Sequence, residues 1–254
     1  MGWLAEGVLS SLLAILLAVA SGNFIYWIVG RRKIQHFFNL GRAGVVVYTA
    51  NLTIKQFGST GVDGRERSYA GPAVPEADLK AAVAIEEFMA RMHPRLHQVS
   101  GPLASLRFQW SDVQVKVDLS PADARDAVED TATLITIGSP AYNSVSGLVE
   151  AAFVGHGQFV DETSAIRVES LGPFVGTDYA MIQRRVHPVT GQRAFYVAGS
   201  SAAGTQGAAL YLLREWSTLR ERHGDDRPFT VVVKLPSGNQ AATQVVCEWP
   251  TQRT

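Results

Sequence analysis

One cysteine, Cys247, stands in 254 residues. A lone thiol excludes an internal disulfide and a cysteine-rich zinc site, and it suits a reducing compartment. No charge pattern around Cys247 favours its thiolate, so it reads as a small apolar filler. Neither sign of charge is in excess, since 23 Lys and Arg face 23 Asp and Glu. Without a net field to gather a polyanion, direct nucleic-acid binding is not expected. Close metal-ligand spacing is missing too, because Pro94 interrupts the helix that would bring His93 and His97 to one face. There is no serine–histidine–aspartate set and no phosphate loop with a lysine, so no catalytic residue, metal or cofactor is assigned.

Charge is absent altogether from residue 7 to residue 30, and residues 9–29 are mostly Leu, Ile, Val and Ala. About 20 such residues span the hydrocarbon core as a helix. Glu6 precedes the run and Arg31, Arg32 and Lys33 follow it, the reverse of a secretory signal. The expectation is a retained single-pass anchor in the cell membrane, with the N-terminus outside and the remainder in the cytoplasm. Trp3, Tyr26 and Trp27 lie near its two ends, where aromatic side chains prefer the interface. Ser10, Ala14, Ala18 and Gly22 recur every four residues and form a small-residue face on which two such helices can pack closely. The bilayer and further copies of the chain, in a homo-oligomer, are therefore the expected partners of the anchor.

This reading divides the chain into an anchor with its basic flank, 1–33, and one α/β domain, 34–254, of a size that supports an ordinary core. Residues 34–40 are expected to form a short amphipathic helix lying near the membrane. Residues 45–50 read as a buried strand, followed over 52–74 by a long loop rich in Gly and Ser, from which Arg65 and Arg67 can reach phosphates. Residues 76–92 have helical spacing, with Leu79, Val83, Ile85, Phe88, Met89 and Met92 as the apolar face and Glu86 and Glu87 solvated beside it. Alternation over 106–119 suits one or two strands, with Val113, Val115 and Val117 on one face, and Ser120 with Pro121 starts a helix. A strand at 134–137 completes the crossover. Short extended pieces follow over 159–181, then a strand at 179–186, a strand from 194 that feeds an apolar helix ending near Gly224, and a terminal hairpin of 229–235 and 241–249. The expected fold is Rossmann-like, a mainly parallel sheet with helices on both faces and a C-terminal β-hairpin, preceded by one transmembrane helix.

Two strand–loop–helix corners stand out. One holds Gly138, Ser139, Asn143 and Ser144; the other holds Gly199, Ser200, Ser201, Gly204 and Thr205. Small residues there let backbone N–H groups approach an anion at a helix N-terminus, and hydroxyls add donors. These nine residues are the expected ligand-binding set, with Asn143 and Thr205 as the preferred polar contacts. In order and spacing, Gly138-Ser139 followed by Gly147-Leu148-Val149-Glu150-Ala151-Ala152, and then Gly199-Ser200-Ser201-Ala202-Ala203-Gly204-Thr205, the pair resembles the SLOG superfamily of Rossmann-like nucleotide binders. That superfamily includes LOG-type phosphoribohydrolases and, in bacterial antiviral defence, domains that sense nucleotide-derived signals. The resemblance implies a nucleotide-like ligand. It does not imply the hydrolase activity, because the glutamate those enzymes carry after the second Gly-Thr is replaced here by Gln206-Gly207-Ala208-Ala209. Glu150 and Asp178 are the nearby carboxylates left to substitute, and a glutamate in the first turns of a helix more often answers the dipole.

Three functions follow from these features. The first is a membrane-anchored effector that binds a nucleotide signal, oligomerises and perturbs the bilayer. The second is a tethered enzyme acting on a nucleotide or nucleoside, with Glu150 or Glu87 as acid/base and Asn143 as an orienter. The third is a non-catalytic membrane scaffold, which needs no open pocket.

Overall fold

The computed structural model describes residues 29–40, 44–51, 74–92, 113–117, 133–160, 165–169, 171–236 and 243–250. Nearly all of the expected span, with Ser10, Ala14, Ala18 and Gly22, lies outside these residues, as do Arg65, Arg67, His93, His97 and the helix expected from Ser120. Among the described residues no helix is long and apolar enough to cross a membrane.

The strands are Val45–Thr49 (β1), Val113–Val117 (β2), Thr133–Ile137 (β3), Gly157–Val160 (β4), Ala165–Val168 (β5), Leu171–Phe174 (β6), Tyr179–Val186 (β7), Arg193–Gly199 (β8), Phe229–Lys234 (β9) and Gln244–Trp249 (β10). The helices are residues 29–37 (α1), Glu76–Met92 (α2), Ser144–Ala152 (α3) and Ala202–His223 (α4). Seven strands form one sheet in the order β10-β9-β7-β8-β3-β1-β2. The pairs β2/β1, β1/β3 and β3/β8 are parallel, whereas β7 runs antiparallel to both β8 and β9, and β10 antiparallel to β9. Five strands thus share one direction, and β9 with β10 forms the expected terminal hairpin.

Alternation along each strand divides the core in two. Val45, Val47, Ile135, Ile137, Phe195 and Val197 face one side, where α1, α2 and α4 cover them. Val46, Tyr48, Leu134, Tyr196 and Ala198 face the other, covered by α3 and by Ile166 and Val168 of a separate three-stranded sheet, β4-β5-β6. Short extended pieces were expected in that region; their closure into a sheet that does a helix's work of covering the second face was not. Cys247 packs buried on the same side, its thiol pushed up by burial, as expected of a filler.

Two expectations about helices need correction. The segment from residue 34 packs into the domain: Ile34, Phe37 and Phe38 are buried in the first core, and the helix described over residues 29–37 runs across the division drawn at 33/34. The buried face of α2 is Asp78, Ala81, Ala82, Ile85 and Met89, whereas Leu79 and Val83 are exposed at 48% and 42%. Of the expected face, Ile85 and Met89 are buried and Phe88 packs against the core, while Ala81 and Ala82 take the place of Leu79 and Val83, because alanines give the close approach that α2 makes to α4 and the sheet. On β7, the fully buried Arg184 packs beside the rings of Phe37 and Phe229, 5.3 and 5.0 Å from their centroids, and donates to the carbonyls of Gly224 and Arg227. Burial lowers its pKa to about 10.

Candidate functional site

The neighbouring parallel strands β3 and β8 end at the same edge of the sheet, and the helices that follow them leave toward opposite faces, α3 to one and α4 to the other. A crevice opens where adjacent strands send their helices apart, and ligands of open α/β sheets bind there. The Gly138 N–H donates to the Val197 carbonyl at 2.9 Å, which joins the two corners directly. Gly138 has φ +102°, and a Cβ on it would lie 3.1 Å from the Ala50 Cβ. Gly199 is needed for another reason: a Cβ there would stand 2.5 Å from the Gly204 carbonyl carbon.

The side chains chosen from sequence as polar contacts are spent on holding these corners. Asn143 is fully buried and caps α3, its Oδ1 accepting from Ser146 N at 3.0 Å while its Nδ2 donates to the Tyr48 and Ile137 carbonyls at 3.1 and 2.9 Å. Thr205 Oγ1 accepts from Gly199 N at 2.9 Å, and Ser201 Oγ caps α4 by accepting from Gly204 N at 3.1 Å and donating to the Thr177 carbonyl at 2.8 Å. Ser144 is buried, and Ser200 N donates to the Tyr179 carbonyl at 2.9 Å. Ser139 is half-buried, and its hydroxyl has no partner among the described residues. The first turn of α4 leaves the N–H groups of the exposed Ala202 and Ala203 without a helical acceptor. At this edge Ala202 and Ala203 are the exposed residues, whereas Asn143 and Thr205 are buried. Asn143→Ala, which strips a cap and orphans two buried carbonyls, is expected to destabilise the domain by about 2–4 kcal/mol. Ser139→Ala is expected to stay within about 0.5 kcal/mol of wild type. Urea unfolding of the two variants checks the contrast.

Sequence reasoning missed Asp78. It sits in the first turn of α2 with 3% exposure, beside the end of β1, and its Oδ2 lies 3.3 Å from where a Gly138 Cβ would be. An acid at this position ordinarily gains from the helix dipole. Here its Oδ1 is buried with no hydrogen-bond partner among the described residues, and burial pushes the carboxyl from its usual 3.8 up to about 7. The neighbours across the corner are Ala50 and Gly138, neither titratable, while Glu76 and Lys80 pair with each other at 2.6 Å on the exposed side. The signal available in the sequence was an aspartate at helical spacing with Ala81, Ala82, Ile85 and Met89. Because the native state holds a proton that the unfolded chain releases above about pH 4, this contribution is complete below that pH and is lost as pH rises through about 7. Asp78→Asn, which does not titrate, is expected to be more stable than wild type by about 2–4 kcal/mol at pH 8, the gap closing toward pH 4. Denaturation at the two pH values measures it.

The remaining carboxylates lie elsewhere. Glu150 is in the last turn of α3, not its first, about 10 Å along the axis from Asn143. Its Oε1 accepts from Phe159 N at 3.3 Å. Glu87 is exposed on α2, about 13 Å along the axis from Asp78. Asp178 lies in the turn before β7, where its carbonyl accepts from Leu235 N at 2.7 Å. A cavity of about 350 Å³ beyond the C-terminus of α3 is lined by Glu150, His156, Arg167, Glu169 and Arg185 among others. Its charged groups largely engage one another or the backbone: His156 Nδ1 is 2.7 Å from Glu169 Oε1, and the buried Arg185 donates to the carbonyls of Glu150, Phe153 and Gly157. No group of three or more His, Cys, Asp or Glu among the described residues is placed to hold a metal ion. Comparison with protein-family models, with curated proteins and with solved structures returns no match to this chain.

Proposed function

We propose that the chain is a membrane-tethered receptor for a nucleotide-like ligand, which it binds at the edge of the sheet where β3 and β8 end and releases unchanged. Binding draws copies of the chain together through the small-residue face of the N-terminal span, and the assembled spans perturb the bilayer. The observation that carries the reading is the departure of α3 and α4 to opposite faces from neighbouring parallel strands. The N–H groups of the exposed residues Ala202 and Ala203, in the first turn of α4, supply anion donors at that edge. Binding without turnover is favoured because Glu150 and Glu87 stand away from the corners, and Thr205 is tied to Gly199.

The test is thermal unfolding of the full chain in lipid nanodiscs against linear and cyclic nucleotides, with chromatography of any ligand that binds. A raised midpoint with the ligand intact is expected. A consumed ligand would make the protein an enzyme, and no shift with any nucleotide would leave the scaffold reading. Gly22→Leu is expected to weaken self-association of the full chain in detergent, since a large side chain holds two helices apart. Equal association of variant and wild type in sedimentation would remove the small-residue face from the account.

A further inference from the structure

A buried carboxyl oxygen with no partner is costly, and few are kept without a use. Asp78 is such a group, and it stands at the one sheet edge where the two glycine corners meet, against Gly138. We infer that Asp78 is the residue that recognises the ligand, its carboxylate accepting a hydrogen bond from a hydroxyl or amino donor while an anionic group sits on the N–H groups of Ala202 and Ala203. The inference rests on the nucleotide reading above and narrows it. The ligand must carry a donor and an anion separated by about the breadth of neighbouring strands and their loops, as a ribose or base amine is separated from a phosphate.

The geometry supports each part. α2 and α4 lie on the same face of the sheet and pack against each other, so both N-termini open onto the same edge. Gly138, on which a Cβ would stand 3.3 Å from Asp78 Oδ2, follows β3, and Gly199, the last residue of β8, starts the α4 corner; the two strands are neighbours about 4.8 Å apart. No side chain of α4 competes for Asp78 by charge, since the helix carries none before Arg214. A donor arriving at Oδ1 satisfies the orphaned acceptor and favours the ionised form, which the helix dipole then supports.

The experiment uses the full chain in nanodiscs with adenosine 5′-monophosphate and its 2′,3′-dideoxy analogue as probes. Asp78→Asn and Asp78→Ala are compared with wild type by thermal unfolding at pH 8 and by equilibrium dialysis. Expected are a higher melting midpoint for Asp78→Asn than for wild type without ligand, at least tenfold weaker nucleotide binding by that variant, and no measurable binding by Asp78→Ala. A response lost with the dideoxy analogue places the ribose hydroxyls on Asp78, and a response kept with it places the base amine there. A lowered midpoint for Asp78→Asn would mean a carboxylate paired for structure and would overturn the inference. Undiminished binding by both variants would overturn it too, while leaving the nucleotide reading standing. Failure of the wild-type chain to bind adenosine 5′-monophosphate overturns the inference for this ligand class, and the wider nucleotide panel then decides the proposed function separately.

Discussion

Gly199→Val is expected to cost more than about 4 kcal/mol and to leave little folded protein. The end of β8 and the first turn of α4 are in backbone contact: an added Cβ would lie 2.5 Å from the Gly204 carbonyl carbon and 2.8 Å from its Cα. No rotamer relieves an overlap with main chain. α4 would have to move off the sheet, breaking the bond from Gly199 N to Thr205 Oγ1 and uncovering Ala208, Ala209 and Leu212. Gly147→Ala makes the contrast, because a Cβ at that position would meet only the Pro140 Cβ at 3.7 Å. It sits within α3, where exchanging glycine for alanine adds up to about 1 kcal/mol of helix propensity. Urea unfolding followed by far-ultraviolet circular dichroism should therefore show one variant collapsing and the other holding or gaining. A wild-type midpoint for Gly199→Val would mean that α4 does not begin where it is described.

Phe37→Ala is expected to destabilise the domain by about 3–5 kcal/mol. The ring is fully buried, with centroids 4.8 Å from Phe38, 5.4 Å from Phe195, 6.2 Å from Phe229 and 6.3 Å from Trp216. Its removal opens a cavity in the first core and strips one of the two rings beside the Arg184 guanidinium, a contact worth about 2 kcal/mol when desolvated. A helix resting on a membrane would predict no such loss. Tryptophan fluorescence during urea unfolding separates the two cases, and a near-wild-type midpoint would return α1 to the membrane surface.

The strands were legible because buried β-branched runs bounded by small residues have few alternatives, and the bounds read for β7 are those it adopts. What remained hidden had physical reasons. The antiparallel insertion of β7 between β8 and β9 depends on which strands meet, which local pattern does not encode. Strands β4 to β6 are four residues each, too short for alternation to show. At the site, the corners could be located but not their use: Asn143 looked like a ligand donor and serves as a cap, because any buried helix start must satisfy its own N–H groups first. Asp78 was overlooked because Leu79 and Val83 made a more hydrophobic stripe than the small residues that pack.

The course of α1 carries a mechanical consequence. Its described turns begin two residues before Arg31 and end among the core rings at Phe37, so the basic triplet rides on a helix built into the domain rather than on a tether. Within residues 29–37 such a helix has no swivel. A residue added to a helix advances it about 1.5 Å and turns it about 100°. An alanine inserted between Arg32 and Lys33 would turn residues 29–32, with the half-buried Arg31, by more than a quarter turn relative to the carboxyl edge of the sheet. The direction in which Arg31 and Arg32 face is thus written into helix length.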